Sequence, residues 1–318
     1  MDFAIKNIVI ATVIFGTILV IIFENRNPVK TIAWCMVLTF MPVIGLLLYI
    51  LFGMDNRHRR QIKDEDLSRL KGITEITQSD DILSEMPVPQ KPLADMLRKM
   101  NKSFLLSGND VEIITDFQTM SDRLIADIEG ARHHINMLFF KFEDDAAGRR
   151  IADALIRKSE EGVLVRLIYD DAGNLMVPRR FYRKLRKHGI QVRGFIRIFL
   201  PILSRDYNSR NHRKVVVIDG RVGYMGGMNI AQRYAEGLKW GIWRDTHMRI
   251  TGPAVSELQT SFLTDWKFTK GDEPDLDPMY PYNPPCGNTL MQIVTGGPMD
   301  KWNAMMQAYM TAIVSARS

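Results

Sequence analysis

The run Asn211-His-Arg-Lys-Val-Val-Val-Ile-Asp219 joins an unbroken β-branched core to a charged start, and it decides how this chain folds. Residues 215–218 predict a buried strand, because β-branched side chains pack well on a pleated sheet. Side chains two positions apart in a strand share a face, so His212 and Lys214 are expected to lie side by side. Asp219 follows seven positions after His212. At about 3.3 Å per residue it falls roughly 23 Å away on the opposite face, which favours a structural role in the following turn.

A glycine pair and an amide come after the strand, in the run Gly226-Gly227-Met228-Asn229. Glycines let the backbone turn tightly and approach a ligand closely. Gly227 is therefore expected to line a ligand site with its N–H, and Asn229 with its side-chain amide. The alternative is an ordinary turn asparagine.

A candidate carboxylate partner for the imidazole lies in the run Trp243-Arg244-Asp245. This run opens a strand-like segment over residues 246–250, which is expected to join the same sheet as the first strand. We therefore predict that Asp245, rather than Asp219, contacts Nδ1 of His212.

An imidazole, a fixed ammonium and an amide on one short stretch suit phosphodiester chemistry. The imidazole of His212 can attack phosphorus, since histidine forms covalent intermediates in group transfer. The ammonium of Lys214 can stabilise the charge that builds on the non-bridging oxygens in the transition state. The ordinary alternative is a polar residue at a strand start beside a surface lysine.

The pattern His-x-Lys-x4-Asp-x6-Gly-Gly-x-Asn, which begins at His212, resembles the motif of the phospholipase D superfamily. With the apolar N-terminus and the run Phe142-Glu-Asp-Asp-Ala-Ala-Gly148, nearly the whole chain is similar to bacterial cardiolipin synthases. The resemblance implies a phospholipase D-like α/β/α sandwich with a central mixed sheet, a phosphohistidine intermediate, and no metal or cofactor. It places His212, Lys214, Asp219 and Asn229 in the catalytic motif. Arg213, inside that motif, is predicted to bind substrate.

One copy of the motif is present, although the resemblance implies a second copy that supplies the leaving-group acid. Of the six histidines in the chain, His212 is the one that starts the pattern. The run Glu112-Ile-Ile-Thr115 and the helix-like segment after it are repeated from Gln292-Ile-Val-Thr295 onwards. We therefore expect residues 286–318 to begin a second, truncated lobe. A missing second lobe or a homodimer partner is expected to complete the site.

Two apolar segments open the chain, residues 3–23 and 31–52, and each is close to the roughly 20 residues that cross a bilayer as a helix. They predict a two-helix transmembrane hairpin within residues 1–55. Basic residues follow the second segment at once, which favours a cytoplasmic location for both chain ends. We therefore expect a protein of the bacterial inner (cytoplasmic) membrane with a cytoplasmic catalytic domain.

The formal net charge is +6, and many of the cations lie in one helix-like stretch over residues 179–188. A solvated basic helix face is the ordinary interpretation. The functional one is attraction to anionic lipid head groups, worth about 1 kcal/mol per cation near the membrane surface. Because of the membrane segments, we expect an anionic phosphatidylglycerol membrane as the partner and no nucleic acid.

Strand-like and helix-like runs alternate along the body of the chain, which predicts an α/β fold. The predicted strands cover residues 111–115, 135–140, 163–169, 214–218, 246–250 and 291–294, and the predicted helices cover residues 149–161 and 255–268. Residues 56–108 are polar and predict a linker, and residues 109–285 predict a first catalytic lobe. The acidic run Glu143-Asp144-Asp145 predicts a solvated loop or helix N-terminus rather than a metal site. Residues 195–203 predict either a buried strand or a loop that dips into the bilayer.

The sequence therefore predicts phosphatidyl transfer between two phosphatidylglycerol molecules, giving cardiolipin and glycerol. Two alternatives stay open. One is a single-motif phosphodiesterase or nuclease that acts as a homodimer. The other is an inactive truncated fragment that binds membranes.

Overall fold

The structure of the chain is a computed structural model that describes residues 2–23, 28–53, 90–196, 210–239, 241, 243–297 and 303–316. The chain divides into two units. One unit holds Met1–Arg59 with Ile198–Asn208, and the other holds Arg60–Arg197 with Ser209–Ser318. The apolar N-terminus and the predicted catalytic residues therefore belong to different units.

The first unit is built from apolar helices. Among the described helices, α1 (Asp2–Phe23) has the one stretch long and apolar enough to cross a membrane, Ile5–Phe23, with a mean hydropathy of 2.4. It is followed by α2 (Pro28–Phe40), α3 (Pro42–Leu48) and a single π-helical turn (Tyr49–Gly53). Buried Ile21, Leu38 and Tyr49 pack these elements against each other.

The second predicted membrane segment, residues 31–52, is not one continuous helix. Pro42 lacks a backbone N–H and disfavours helical geometry in the residue before it. Met41 accordingly has φ −132° and ψ 68°, and α2 ends just before it. The predicted apolar first helix is therefore confirmed, whereas the second segment is divided into α2 and α3 and is not the single helix predicted over residues 31–52.

The second unit is built on one sheet, with eight strands in the described part of the chain, in the order β4-β3-β2-β5-β6-β7-β1-β8. The strands are β1 (Leu105–Ile114), β2 (His134–Phe139), β3 (Leu164–Asp170), β4 (Gln191–Phe195), β5 (Val215–Ile218), β6 (Val222–Gly226), β7 (His247–Thr251) and β8 (Thr289–Gln292). The pairs β2–β3 and β3–β4 are parallel and the other neighbours are antiparallel. The predicted mixed sheet is confirmed.

Helices cover both faces of this sheet. They are α4 (Lys91–Asn101), α5 (Phe117–Gly130), α6 (Ala146–Glu160), α7 (Arg179–Lys187), α8 (Gln232–Glu236), α9 (Val255–Phe268) and α10 (Ala304–Ser315), with a 3-10 turn at Asp277–Met279. Side chains of neighbouring residues in a strand point to opposite faces of the sheet. In β2, Met137 joins the core formed with α5, α6 and α7, and Leu138 joins the core formed with α9. The predicted α/β/α sandwich is therefore confirmed.

Part of the predicted linker is folded. Residues 54–89 lie outside the described residues, but α4 begins at Lys91 and β1 at Leu105, before the predicted start of the lobe at 109. Ala94 and Leu97 on α4 are buried. The lysines and arginines of α4 make its composition polar, while apolar residues at helical spacing form its buried face. The folded body therefore includes residues 91–108, which the sequence had assigned to the linker.

The C-terminal segment extends the same sheet. β8 pairs antiparallel with β1 in the register Leu105↔Gln292, and Ser103 Oγ donates to the carbonyl oxygen of Ile293 at 2.6 Å. Helix α10 then follows, so the order of strand and helix seen in β1 and α5 recurs. That residues 286–318 begin a second lobe stays a prediction.

Two local predictions fall in the middle of the chain. Asp145 caps α6 by accepting the N–H of Gly148 at 2.8 Å, so the acidic run does form a helix N-terminus. β4 ends at Phe195, and residues 197–209 lie outside the described residues. The choice between a buried strand and a membrane-dipping loop for residues 195–203 therefore stays open.

Asn109 ties three elements together from a fully buried position. Its Nδ2 donates to the carbonyl oxygens of Leu106 (2.8 Å) and Thr289 (3.1 Å), and its Oδ1 accepts the N–H of Ala254 at 2.7 Å. Alanine would leave these buried backbone groups without that partner. We expect Asn109→Ala to lower the free energy of unfolding by about 2–4 kcal/mol, measured by urea denaturation. Gln118→Ala, which removes an exposed amide, is the control; an equal loss in both variants would contradict the assignment.

Candidate active site

The candidate site lies at one edge of the sheet, where several strand ends meet. β2, β3 and β6 end at this edge, and β5 and β7 begin there, because β5 is antiparallel to β2 and β6, and β6 is antiparallel to β7. Residues that precede β5 or β7, or follow β6, are thus brought to one place. This topology brings together residues 212, 229 and 245, which are far apart in the sequence.

His212 and Lys214 lie together, as the sequence predicts. Lys214 is buried, at 2% exposed, and its Nζ lies 3.3 Å from Nδ1 of the exposed His212. The same ammonium donates to the carbonyl oxygen of His212 at 2.7 Å. The Phe140 ring packs against the imidazole, with ring centroids 4.6 Å apart. The imidazole is thus presented to solvent while the cation beside it is held in the interior.

Burial and neighbouring charges set the protonation of both groups. Burial, followed by the charge of Lys214, lowers the pKa of His212, although the carboxylates of Asp170 and Asp245 oppose this shift. The imidazole is therefore neutral at neutral pH, which is the nucleophilic form. Burial also lowers the pKa of Lys214 to about 8, and Asp245 opposes that shift. Lys214 is therefore cationic at neutral pH and loses its charge as the pH rises above about 8.

Asp245 lies next to the glycine pair, and its charge acts on both His212 and Lys214. Its Oδ1 accepts the N–H of Thr246 at 2.8 Å. A Cβ built at Gly227 would lie 1.9 Å from Asp245 Oδ1, so only glycine leaves room for this carboxylate. The N–H of Gly227, predicted to line the site, donates instead to the carbonyl oxygen of Thr246 at 2.8 Å. Gly227 thus contributes to the site because it has no side chain that would displace Asp245.

Asn229 is buried and oriented by two hydrogen bonds. Its Oδ1 accepts the N–H of Lys141 at 3.1 Å, and its Nδ2 donates to the hydroxyl of Tyr234 at 2.8 Å. Lys141 directly follows Phe140, whose ring packs on the imidazole of His212. The amide is therefore held at the same sheet edge as the nucleophile.

Arg213 faces the opposite side of the chain from the imidazole, as alternation along an extended segment requires. Its Nη1 donates to both carboxylate oxygens of Asp265 on α9, at 2.7 Å each. A Cβ built at Gly297 would lie 2.8 Å from its Nη2, so the C-terminal segment packs on the same guanidinium. Arg213 thus makes an ion pair that anchors the segment carrying His212 to α9, and its predicted contact with substrate stays a prediction.

Asp219 lies at the opposite edge of the sheet from His212. It has a φ of 51° and Gly220 a φ of 63°, so the turn between β5 and β6 is of the mirror-image type that suits these residues. Its carboxylate accepts the N–H groups of residues 132–134, at 2.8 to 2.9 Å, where β2 begins. These contacts match the turn role that the residues alone indicate, and they separate Asp219 from the nucleophile.

Asp170, which the sequence analysis missed, holds the segment that carries His212. It is buried at the end of β3, and its Oδ2 accepts the N–H of Asn211 at 2.9 Å. Its Oδ1 accepts the N–H groups of Ala172 (2.9 Å) and Gly173 (3.1 Å). The residue before the nucleophile is thus fixed to the end of a neighbouring strand.

Asn174, also missed, links the ends of β2 and β3. Its Nδ2 donates to the carbonyl oxygens of Phe140 and Asp170, at 2.7 Å each, and its Oδ1 accepts the N–H of Phe142 at 2.8 Å. The signal for both residues was the polar run Asp170-Asp171-Ala172-Gly173-Asn174 directly after a predicted strand. Functional residues of α/β folds commonly lie in such loops.

Other titratable groups near the site are neutral or paired. Burial, followed by the charge of Lys214, lowers the pKa of His247 to about 3, so this buried imidazole adds no positive charge. Glu143 pairs with Arg233, and Asp144 pairs with Arg149 at 2.7 Å. Within the described ranges, no group of three or more His, Cys, Asp and Glu residues is placed to hold a metal ion.

Comparison with known proteins places this site in a family. The family model described as cardiolipin synthase, phospholipase D-like domain, matches residues 124–266, and the phospholipase D-nuclease N-terminal model matches residues 12–53. The chain belongs to the cardiolipin synthase family of the phospholipase D superfamily.

Relatives in the cardiolipin synthase family match almost the whole chain. A cardiolipin synthase of Oceanobacillus iheyensis is 35% identical over 93% of this chain and 64% of its own length. The major cardiolipin synthase ClsA of Bacillus subtilis is 36% identical over 99% of this chain and 66% of its own length. A cardiolipin synthase of Geobacillus kaustophilus is 35% identical over 94% and 61%. The chain thus spans just under two thirds of the length of these relatives.

Removing the charge of Asp245 should lower the pKa of both His212 and Lys214, because this carboxylate stabilises both protonated forms. The rate of phosphohistidine formation should rise with pH as the imidazole loses its proton, and fall as the ammonium loses its own. We expect Asp245→Asn to move both limbs of this pH profile to lower pH. Asp144→Asn, which removes a carboxylate that pairs with Arg149 and is not among the charges acting on His212 or Lys214, is the control. A profile that stays in place, or moves by one limb only, would rule out this role.

Removing the charge of Asp170 should affect only the acidic limb of the same pH profile. Its carboxylate raises the pKa of His212 but is not among the charges that shift the pKa of Lys214. We expect Asp170→Asn to move the acidic limb to lower pH and to leave the basic limb in place. The new amide would also face backbone N–H donors, so the free energy of unfolding should fall by about 1–3 kcal/mol. The pH profile and urea denaturation check the two effects, and equal movement of both limbs would contradict the expectation.

Proposed function

We propose that this chain forms the nucleophile-bearing half of a cardiolipin synthase site. His212 attacks the phosphorus of one phosphatidylglycerol, and the bond from phosphorus to the head-group glycerol oxygen breaks. A hydroxyl of a second phosphatidylglycerol then attacks the same phosphorus, and the P–N bond breaks to release cardiolipin. The departing glycerol takes up one proton and the attacking hydroxyl loses one, so the protons balance.

One observation carries the proposal: a neutral, exposed imidazole lies 3.3 Å from a buried ammonium. An uncharged nucleophile and a fixed cation are what attack on an anionic phosphodiester requires. The relatives that match nearly the whole chain are named cardiolipin synthases, which supports this substrate class over a nuclease.

The other residues are assigned by their contacts. Lys214 holds a non-bridging oxygen, and the amide of Asn229 contacts the same phosphoryl group. The charge of Asp245 raises the pKa of both the imidazole and the ammonium, and Gly227 leaves room for this carboxylate. Asp219 stabilises the turn between β5 and β6 and takes no part in the chemistry.

We assign the leaving-group acid to a second half-site, supplied by a second lobe or by another copy of the chain. Helix α10 supports this, since Tyr309 and Ile313 on it are 67% and 73% exposed. In α5, which follows β1 as α10 follows β8, Leu124 and Ile128 are instead fully buried. An apolar face of this kind fits a partner lobe.

We also propose that the site works at the surface of an anionic membrane, on its cytoplasmic side. Ile5–Phe23 fits a membrane-associated protein. Helix α7 buries Phe181, Tyr182 and Leu185 and turns its basic residues to solvent. Such a face attracts phosphatidylglycerol head groups, and the basic residues after the N-terminal unit favour the cytoplasmic orientation.

The proposal predicts a covalent phosphatidyl adduct on His212. The full chain, mixed with a separately expressed second lobe and with vesicles of phosphatidylglycerol that carries a labelled phosphate, should give an acid-labile adduct and release glycerol. His212→Ala should abolish the adduct, because no other group replaces the nucleophile. His133→Ala, which changes an exposed histidine at the opposite edge of the sheet, is the matched control and should keep it. Adduct formation by His212→Ala at the parental rate would refute the proposal.

A further inference from the structure

Three charged side chains form a cluster beside Asn229 that the proposed chemistry does not use. Lys141, Glu143 and Arg233 are 31%, 30% and 29% exposed, so each is half-buried with its charged end at the surface. Lys141 Nζ lies 3.7 Å from Glu143 Oε1, and Arg233 Nη2 donates to the same oxygen. Two positive charges and one negative charge give the cluster a net charge of +1.

Backbone and side-chain contacts fix this cluster against the catalytic edge. The N–H of Lys141 donates to Oδ1 of Asn229, and the N–H of Ile230 donates to the carbonyl oxygen of Lys141 at 3.2 Å. Arg233 directly precedes Tyr234, whose hydroxyl accepts from Nδ2 of Asn229. The backbone of Lys141 and the residue next to Arg233 therefore both contact the amide that we assign to the phosphoryl group.

The backbone of the cluster also adjoins the residue that packs on the nucleophile. Lys141 is the next residue after Phe140, whose ring centroid lies 4.6 Å from that of His212. Burial, followed by the charge of Arg233, lowers the pKa of Lys141, which places the two cations near enough to repel each other. Glu143 offsets part of this repulsion, and an anionic ligand would offset more of it.

Cardiolipin chemistry requires a second anionic position near the first. The acceptor phosphatidylglycerol carries its own phosphodiester, and in the product one glycerol bridges the two phosphates. The two phosphorus atoms are then at most roughly 7 Å apart, the span of two residues of extended backbone with a similar number of bonds. A site that selects this acceptor over water or a neutral alcohol gains by binding its phosphate.

We propose that Lys141 and Arg233, bridged by Glu143, bind the phosphodiester of the acceptor phosphatidylglycerol while its hydroxyl attacks the phosphohistidine on His212. This assignment rests on the proposed function. Glu143 holds both cations in position and keeps their combined charge low, so the subsite binds an anion without trapping the product. Arg233 can form paired hydrogen bonds to phosphate oxygens, and Lys141 acts as a point charge.

A pair of soluble head-group analogues tests the subsite without turnover. Glycerol 1-phosphate offers one phosphate, and glycerol 1,3-bisphosphate offers two phosphates with the spacing of the cardiolipin bridge. Isothermal titration of the full chain in detergent should show that the bisphosphate binds about tenfold more tightly than the monophosphate. Inorganic phosphate at the same concentration should bind no better than the monophosphate, because the subsite recognises a glycerol-linked second phosphate.

Variants of the cluster are expected to change the ratio of the two affinities in opposite directions. Lys141→Ala and Arg233→Ala should bring the ratio of the two affinities close to one, whereas Glu143→Gln should raise it, because the net charge of the cluster increases. Loss of folding cannot produce that increase. Arg157→Ala removes an exposed arginine paired with Glu129 on the far helices, and it should leave the ratio unchanged.

The outcomes separate this inference from the proposed function. If the parental chain binds both analogues equally, or if Glu143→Gln lowers the ratio as the alanine variants do, the acceptor subsite is wrong. If His212→Ala and Lys214→Ala leave binding of the monophosphate unchanged, the proposed phosphoryl site itself is wrong. The subsite is supported if the bisphosphate binds more tightly than the monophosphate, and if Lys141→Ala weakens this binding while Arg157→Ala does not.

Discussion

The site depends on keeping one ammonium group inside the protein. Lys214 is 2% exposed, and burial of a charge is costly unless partners replace the lost water. The carbonyl oxygen of His212, the face of the Phe140 ring 5.6 Å from Nζ, and the charge of Asp245 replace it in part. The pKa of about 8 shows that this compensation is incomplete. A cation so poorly solvated gains more from a phosphoryl oxygen than a surface lysine would.

The sheet supplies those partners because of its strand directions. Antiparallel β5, β6 and β7 put the start of β5, the end of β6 and the start of β7 at one edge, and the end of β2 adds Phe140. The space left for Asp245 exists because residue 227 has no side chain. A change in the register of β5 by one residue would turn His212 and Lys214 together to the other face of the sheet and separate both from Asp245 and Phe140. The register of β5 therefore determines which residues meet the His212–Lys214 pair.

Sequence patterns predicted those features of the site that depend on residues close together in the chain. The β-branched run of β5 and the alternation along it placed His212 and Lys214 side by side, and the spacing set Asp219 apart. Arg213 lies between His212 and Lys214, so alternation along the segment predicts that its side chain points to the opposite face. The substrate contact predicted for Arg213 came instead from its place in the family motif. Pro42 was visible in the sequence, yet composition alone made residues 31–52 look like one span. The polar run after β3 marked Asp170 as a candidate, but its role could not be read from the sequence, because its partner Asn211 lies 41 positions later and pairs with it only through the tertiary fold.

The same residues explain why one half-site is not enough for the proposed reaction. His212 is consumed as the nucleophile, so it cannot protonate the departing glycerol in the same step. Lys214 could give up a proton, since its pKa is near neutrality, but it would then lose its charge as negative charge builds on the phosphoryl oxygens. Asp170 already accepts three backbone N–H groups and acts as an acceptor. Among the described residues, a nucleophile and its electrostatic support lie at this edge of the sheet, which agrees with the proposed assignment of the proton donor to a second half-site.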